Sequence, residues 1–123
     1  LRDEEIVGYL QATDVYVTPY HNPDQIVSGT LSWALAAGCA VVSTPYRYAV
    51  DVLSDGRGTL VPFRDPQALA QALDELLADP QRRARLGERA YAASLPMRWP
   101  RVASRYAALF EHALQGAAAE AAV

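Results

Sequence analysis

The sequence predicts an α/β fold: a partial doubly wound parallel sheet of about three strands, flanked by helices and followed by a helical C-terminal region. Three observations carry this. Short β-branched runs alternate with helix-patterned stretches. Strand, loop, helix and strand succeed one another within Val15 to Thr44, the order of a βαβ unit. After Asp65 the patterning is helical, and two Asp-Pro pairs start helices there. Such alternation means parallel pairing with right-handed crossovers. At 123 residues the chain has the length of one domain with a real core.

Taken in order, Asp3 to Ala12 reads as an amphipathic helix. Asp3, Glu4 and Glu5 suit its positive end, and Ile6, Val7 and Leu10 form its buried side. Val15 to Thr18 is the first strand, stopped by Pro19, which cannot donate to a ladder. A polar loop, Tyr20 to Val27, follows. Ser28 is placed to cap a helix over Gly29 to Ala37, with Gly38 at its C-terminal end. That helix is apolar nearly all round and is expected to be buried.

Ala40 to Thr44 is a continuous apolar run, as expected of a strand covered on both faces. A short helix over Ala49 to Leu53, a turn at Asp55-Gly56-Arg57-Gly58 and a third strand over Thr59 to Val61 follow. Asp65-Pro66 and Asp79-Pro80 each place a cap before Pro at the first helical position. They start helices over Pro66 to Leu77, with Leu69, Leu73, Leu76 and Leu77 on one face, and over Pro80 to Ala93. The last helix, Trp99 to Gln115, carries Val102, Tyr106, Leu109, Phe110 and Ala113 on one stripe. The tail from Gly116 is expected to fray. All three strands end on one edge, which gathers Thr18 to Asn22, Thr44 to Tyr48 and Pro62 to Asp65. In an open parallel sheet a ligand site belongs on that edge.

Composition excludes several classes. The basic residues are eleven Arg and no Lys, as in the Ala-rich proteins of GC-rich bacterial genomes. Without Lys there is no Walker-type phosphate loop and no receiver-type site. No Gly-x-Gly-x-x-Gly stands after a strand, which argues against a nicotinamide site. No Asp-x-Asp pair is present, so neither a metal nor any other cofactor is expected. Cys39 is alone, which leaves no disulfide framework and makes a reduced cytoplasm the default. The charge is uneven, −7 over residues 1–79 and +4 over 80–123. We read the basic third as a solvated helix face and expect no nucleic-acid partner. The chain starts at Leu1 in mid-helix style, which suggests a segment of a longer protein.

The run VYVTPY…NPDQIVSGTLSWALAAGCAVVSTPYRYAVDVLSDGRGTLVPFRDPQALAQALDELLADP resembles the C-terminal, donor-nucleotide domain of the group 1 (family 4) glycosyltransferases of GT-B fold. The similarity runs from about Asp3 to the last helix, so residues 1–115 are expected to be the C-terminal part of that domain and 116–123 a tail. The resemblance implies a nucleotide-diphosphate sugar as donor, transfer of a hexosyl group, and a glycan or lipid-linked acceptor such as those of cell-surface polysaccharides. It implies an acceptor-binding N-terminal domain outside this segment, so that the segment alone is inactive. A cytoplasmic location, peripheral to the inner membrane in the full-length protein, goes with it.

The resemblance also implies backbone amides at the helix start holding the diphosphate, and two Glu side chains touching sugar and ribose. Their positions here are Gln25 and Trp33. A Gln amide still bonds a hydroxyl, whereas indole has no acceptor for a ribose diol. The donor-binding set is therefore Gln25, Val27, Ser28, Gly29, Thr30 and Trp33, with His21, Asn22 and Arg47 as further candidates and no catalytic residue assigned. Trp33 reads as a stacking ring or, on an apolar helix, as core; His21 and Arg47 read as ligand contacts or solvated side chains. A second reading is a degenerate binding or assembly module without donor. In a sheet of order 3-2-1-4-5-6 the segment holds strands 4, 5 and 6, and the unpaired edge of Val15 to Thr18 is expected to pair with a second copy.

Overall fold

The computed structural model describes residues 2–120, with side chains through residue 115. Its elements are α1 (Asp3–Gln11), β1 (Val15–Thr18), α2 (Gly29–Ala37), β2 (Ala40–Ser43), α3 (Arg47–Leu53), β3 (Thr59–Leu60), α4 (Pro66–Ala78), α5 (Pro80–Ser94), a 3-10 turn (Leu95–Met97) and α6 (Trp99–Glu120). The three strands are parallel in the order β1-β2-β3, with Val15 opposite Ala40, Thr18 opposite Ser43 and Val42 opposite Thr59. The α/β expectation therefore holds. The outer edge of β1 has no strand beside it among the described residues.

The central strand divides the core. Val41 packs into one cluster with Leu31, Leu35, Tyr46, Ala49 and Leu53, on the side of α2 and α3. Ala40 and Val42 point the other way, onto Val61, Ala72, Leu76 and Leu86. This is the period-2 alternation of a strand, with both faces covered. Asp65 Oδ1 accepts from the Ala68 amide at 2.9 Å, and Asp79 Oδ1 from the Arg82 amide at 2.8 Å, so both Asp-Pro pairs cap as expected. Arg83 ties α5 to α4 by donating to the carbonyls of Leu76 and Leu77.

Gly87 brings α5 against the end of α2. A Cβ there would stand 2.1 Å from the Gly38 carbonyl oxygen. Gly38 itself closes α2 in the left-handed region, at φ 76°. Beside this contact Cys39 is buried, its thiol donating to the Leu10 carbonyl at 3.3 Å, and burial pushes the thiol pKa up. A buried, protonated thiol is a poor nucleophile. Cys39 is therefore expected to react with Ellman's reagent only as fast as the fold opens, and at once in denaturant; rapid labelling of the native chain would contradict this packing.

Several expectations need correcting. The apolar residues of α1 are not fully buried: Ile6 and Leu10 are half-buried and Val7 is exposed. Helix α2 is not buried all round; Leu31, Ala34 and Leu35 face the core, while Trp33 is 37% exposed. On α4 Leu76 is buried and Leu69 and Leu73 pack against the same cluster as expected, Ala72 joins them, and Leu77 points to solvent instead. Helix α3 starts two residues early, at Arg47, because the amides of Arg47 and Tyr48 bond the carbonyls of Pro23 and Gln25. Donors that a helix start usually leaves unpaired are thus satisfied by the loop after β1.

Helix α6 continues past Gly116 to Glu120, as a run of Ala, the best helix former, allows. Its expected apolar stripe meets little: Val102 is half-buried, but Tyr106, Leu109 and Phe110 are exposed, and Trp99 is 83% exposed. No helix among the described residues is long and apolar enough to cross a membrane.

Candidate donor-anion site

The site is built where β1 and β2 end and α2 begins. Ser28 is buried in extended backbone, and its Oγ accepts from the Leu31 amide at 3.2 Å. That spends one of the unpaired amides of the helix start and leaves the Gly29 and Thr30 amides at the positive end of the dipole. A Cβ on Gly29 would meet nothing within 4 Å, and Gly29 and Thr30 are both exposed. The Ser28 and Thr30 hydroxyls lie 3.4 Å apart. An anion placed there is stabilised by amides and dipole together.

The loop leading to this start is held by its own polar groups. Asn22 Oδ1 accepts from the Asp24 amide at 3.0 Å, and the Asn22 carbonyl from the Gln25 amide at 3.3 Å. Asn22 is thereby a turn residue. Gln25 is half-buried and its amide donates to the Val27 carbonyl at 2.7 Å, with Val27 itself exposed. The Gln25 side chain is thus engaged with its own loop. Trp33 lies a turn further on, at an apolar hollow lined by Ile6, Tyr9, Leu10, Tyr16 and Thr30. The core reading of Trp33 is therefore corrected: this ring bridges α1 and α2 at the surface.

Ser28, Gly29 and Thr30 stand together at the helix start, Trp33 lines one hollow with Thr30, and the Arg47 amide reaches the Pro23 carbonyl of the loop. His21 lines a different cavity of about 310 Å³, with Thr44, Pro62 and Arg64, between the ends of β1 and β3. Arg64 holds a left-handed conformation, φ 57°. Arg47 is the exposed first residue of α3 and forms no ion pair among the described residues. No group of three or more His, Cys, Asp or Glu that could hold a metal ion occurs among the described residues.

Two tyrosines escaped the sequence reading. Tyr20 and Tyr46 pack ring to ring, centroids 5.1 Å apart and 57° between planes. Tyr46 is wholly buried, with its hydroxyl 3.4 Å from Thr18 Oγ1. Thr44 Oγ1 donates to the Tyr20 carbonyl. The hydroxyls of Thr30, Ser28 and Thr18 draw the Tyr20 pKa below the ordinary phenol value, Thr30 most strongly. Tyr16 is opposite in sense: burial raises its pKa, against a smaller lowering from Thr30. The signal was present, since both strands end in Thr-Pro-Tyr, Thr18-Pro19-Tyr20 and Thr44-Pro45-Tyr46. The parallel register, with Thr18 opposite Ser43, leaves the two copies one residue out of step, and Tyr20 packs on Tyr46.

A parallel α/β sheet with an open, Ser-capped helix start at its carboxyl edge is the architecture of a doubly wound, Rossmann-like ligand-binding domain. The chain belongs to the group 1 glycosyltransferases: the family model "Glycosyl transferases group 1" matches residues 1–93. Curated relatives agree. A D-inositol 3-phosphate glycosyltransferase of Xylanimonas cellulosilytica is 37% identical over 80% of this chain and 24% of its own length. That of Kineococcus radiotolerans is 32% identical over 94% of this chain and 28% of its own. That of Corynebacterium urealyticum is 33% identical over 87% and 25%. The chain thus spans about a quarter of the length of these relatives.

Proposed function

We propose that this chain is the donor side of a nucleotide-sugar-dependent glycosyltransferase, holding the diphosphate of the donor at the start of α2. The observation that carries the reading is the α2 start itself, capped by Ser28 and with Gly29 and Thr30 exposed, in a chain of the group 1 family. The chemistry is positioning and charge stabilisation. Amides and dipole take up negative charge on the diphosphate, which builds further as the sugar leaves. The names of the relatives point to a phosphorylated polyol as one acceptor class; a glycan or lipid-linked acceptor suits the same half-site. No residue of this chain is assigned to the transfer step.

A degenerate module without donor is the competing reading. It is favoured by one observation: the Gln25 side-chain amide is engaged with the Val27 carbonyl, and neither Gln25 nor Trp33 carries a carboxylate for sugar or ribose hydroxyls. Calorimetric titration of the complete protein with a panel of UDP- and GDP-sugars separates the two. Saturable binding of one nucleotide class is expected; silence across the panel would leave the module.

A further inference from the structure

We infer that the cavity at the carboxyl edge of the sheet is a binding site for a small organic anion, an apolar body bearing one carboxylate or phosphate, anchored by Arg64. The inference stands apart from the donor reading, since this cavity and the start of α2 share no lining residue. Position is the first support. Pro19 follows β1, Thr44 follows β2 and Pro62 follows β3, so the ends of all three strands meet around one hollow of about 310 Å³. Ligands of open parallel sheets occupy the crevice outside these ends. The hollow reaches down to buried Thr44 and Val61 and to half-buried Leu69 of α4.

Lining chemistry narrows the ligand. Pro19, Pro62 and Pro66 give apolar walls whose backbone angles are fixed by their rings. A preformed apolar wall suits a hydrocarbon body and loses little entropy on binding. The ionisable side chains lining it are His21, Arg64 and Asp65. Asp65 is committed, its Oδ1 accepting from the Ala68 amide at 2.9 Å as the cap of α4. Arg64 is exposed and forms no ion pair among the described residues, which leaves its guanidinium fork for a carboxylate or phosphate. The imidazole of His21 adds an N–H donor. Backbone conformation points the same way. Arg64 lies in the left-handed region, φ 57°, where Gly or Asn would sit with less strain. Strain of this kind gathers at ligand sites, where the side chain and not the turn decides the residue.

The test follows the Val and Leu methyl signals of the complete, methyl-labelled protein by NMR. Benzoate and phenyl phosphate are titrated as the two anionic heads on one apolar body, beside benzamide and inorganic phosphate. We expect saturable shifts of the Val61 and Leu69 methyls with at least one of the two acids, the tighter of them identifying the head. Benzamide lacks the charge and inorganic phosphate lacks the body, so each is expected to bind about tenfold more weakly than that acid or worse. Arg64→Gly is expected to weaken the acid about tenfold, the scale of one hydrogen bond to a charged group, with the melting temperature unchanged or raised. Absence of saturable shifts at Val61 and Leu69 with both acids overturns the site. Benzamide binding as tightly as benzoate overturns its anion selectivity, and inorganic phosphate binding as tightly as phenyl phosphate overturns the role of the apolar walls. An Arg64→Gly protein that keeps its affinity for the acid overturns the anchor, whatever its melting temperature.

Discussion

Gly87→Ala is expected to destabilise the fold by roughly 3 kcal/mol, although Ala is the better helix former by about 1 kcal/mol. The added Cβ would fall 2.1 Å from the Gly38 carbonyl oxygen, an atom of the backbone that cannot swing aside as a side chain can. Relief requires α5 to lift away from β2 and from the end of α2. That would open the packing of Leu86 on Val42 and of Ala90 within the cluster around Leu35. Against a total stability of about 5–15 kcal/mol for a small domain, the loss is large. The denaturant midpoint measures it, with Gly29→Ala as the control, since nothing lies within 4 Å of a Cβ there. A Gly87→Ala protein as stable as the parent would mean that α5 does not sit against the end of α2 at this distance.

The second large effect separates binding from stability. Gly29→Glu is expected to leave the melting temperature unchanged or slightly raised, while lowering nucleotide-sugar affinity on the order of a hundredfold. Gly29 is the first residue of α2. A carboxylate in a first turn is favoured by the dipole by about 0.3–1 kcal/mol, and loss of glycine adds a similar gain. The same carboxylate would compete with a diphosphate for the same amides and repel it. Thermal melts beside calorimetric titration read both quantities. A variant that binds donor as the parent does would move the diphosphate away from α2.

Much of the fold was legible because its signals are local or strictly periodic. The caps at Ser28, Asp65 and Asp79 depend on three-residue stretches, and all three form the expected bonds. The β2 run, apolar at each residue from Ala40 to Val42, announces a strand covered on both faces. What escaped depends on distant partners. The apolar face of α6 indicates which side favours burial, and no local pattern tells whether the described residues supply a partner. The core reading of Trp33 failed because an apolar helix does not declare which of its sides meets a neighbour. At the candidate site, Ser28, Gly29 and Thr30 were legible as a helix start, whereas Tyr20 was not. Its contact with Tyr46 depends on the register of β1 against β2, which no local stretch of sequence declares.

The bonds from the loop after β1 to the start of α3 make the site observable without a ligand probe. The amides of Arg47 and Tyr48 point to the carbonyls of Pro23 and Gln25 at 2.9 and 3.1 Å. At a free helix start such amides would exchange with solvent quickly. Here their deuterium uptake is expected to be gated by the loop after β1, proceeding only when Pro23 and Gln25 move away. Two peptide-level clocks in α3 thus time the opening of a loop that belongs to a different part of the chain.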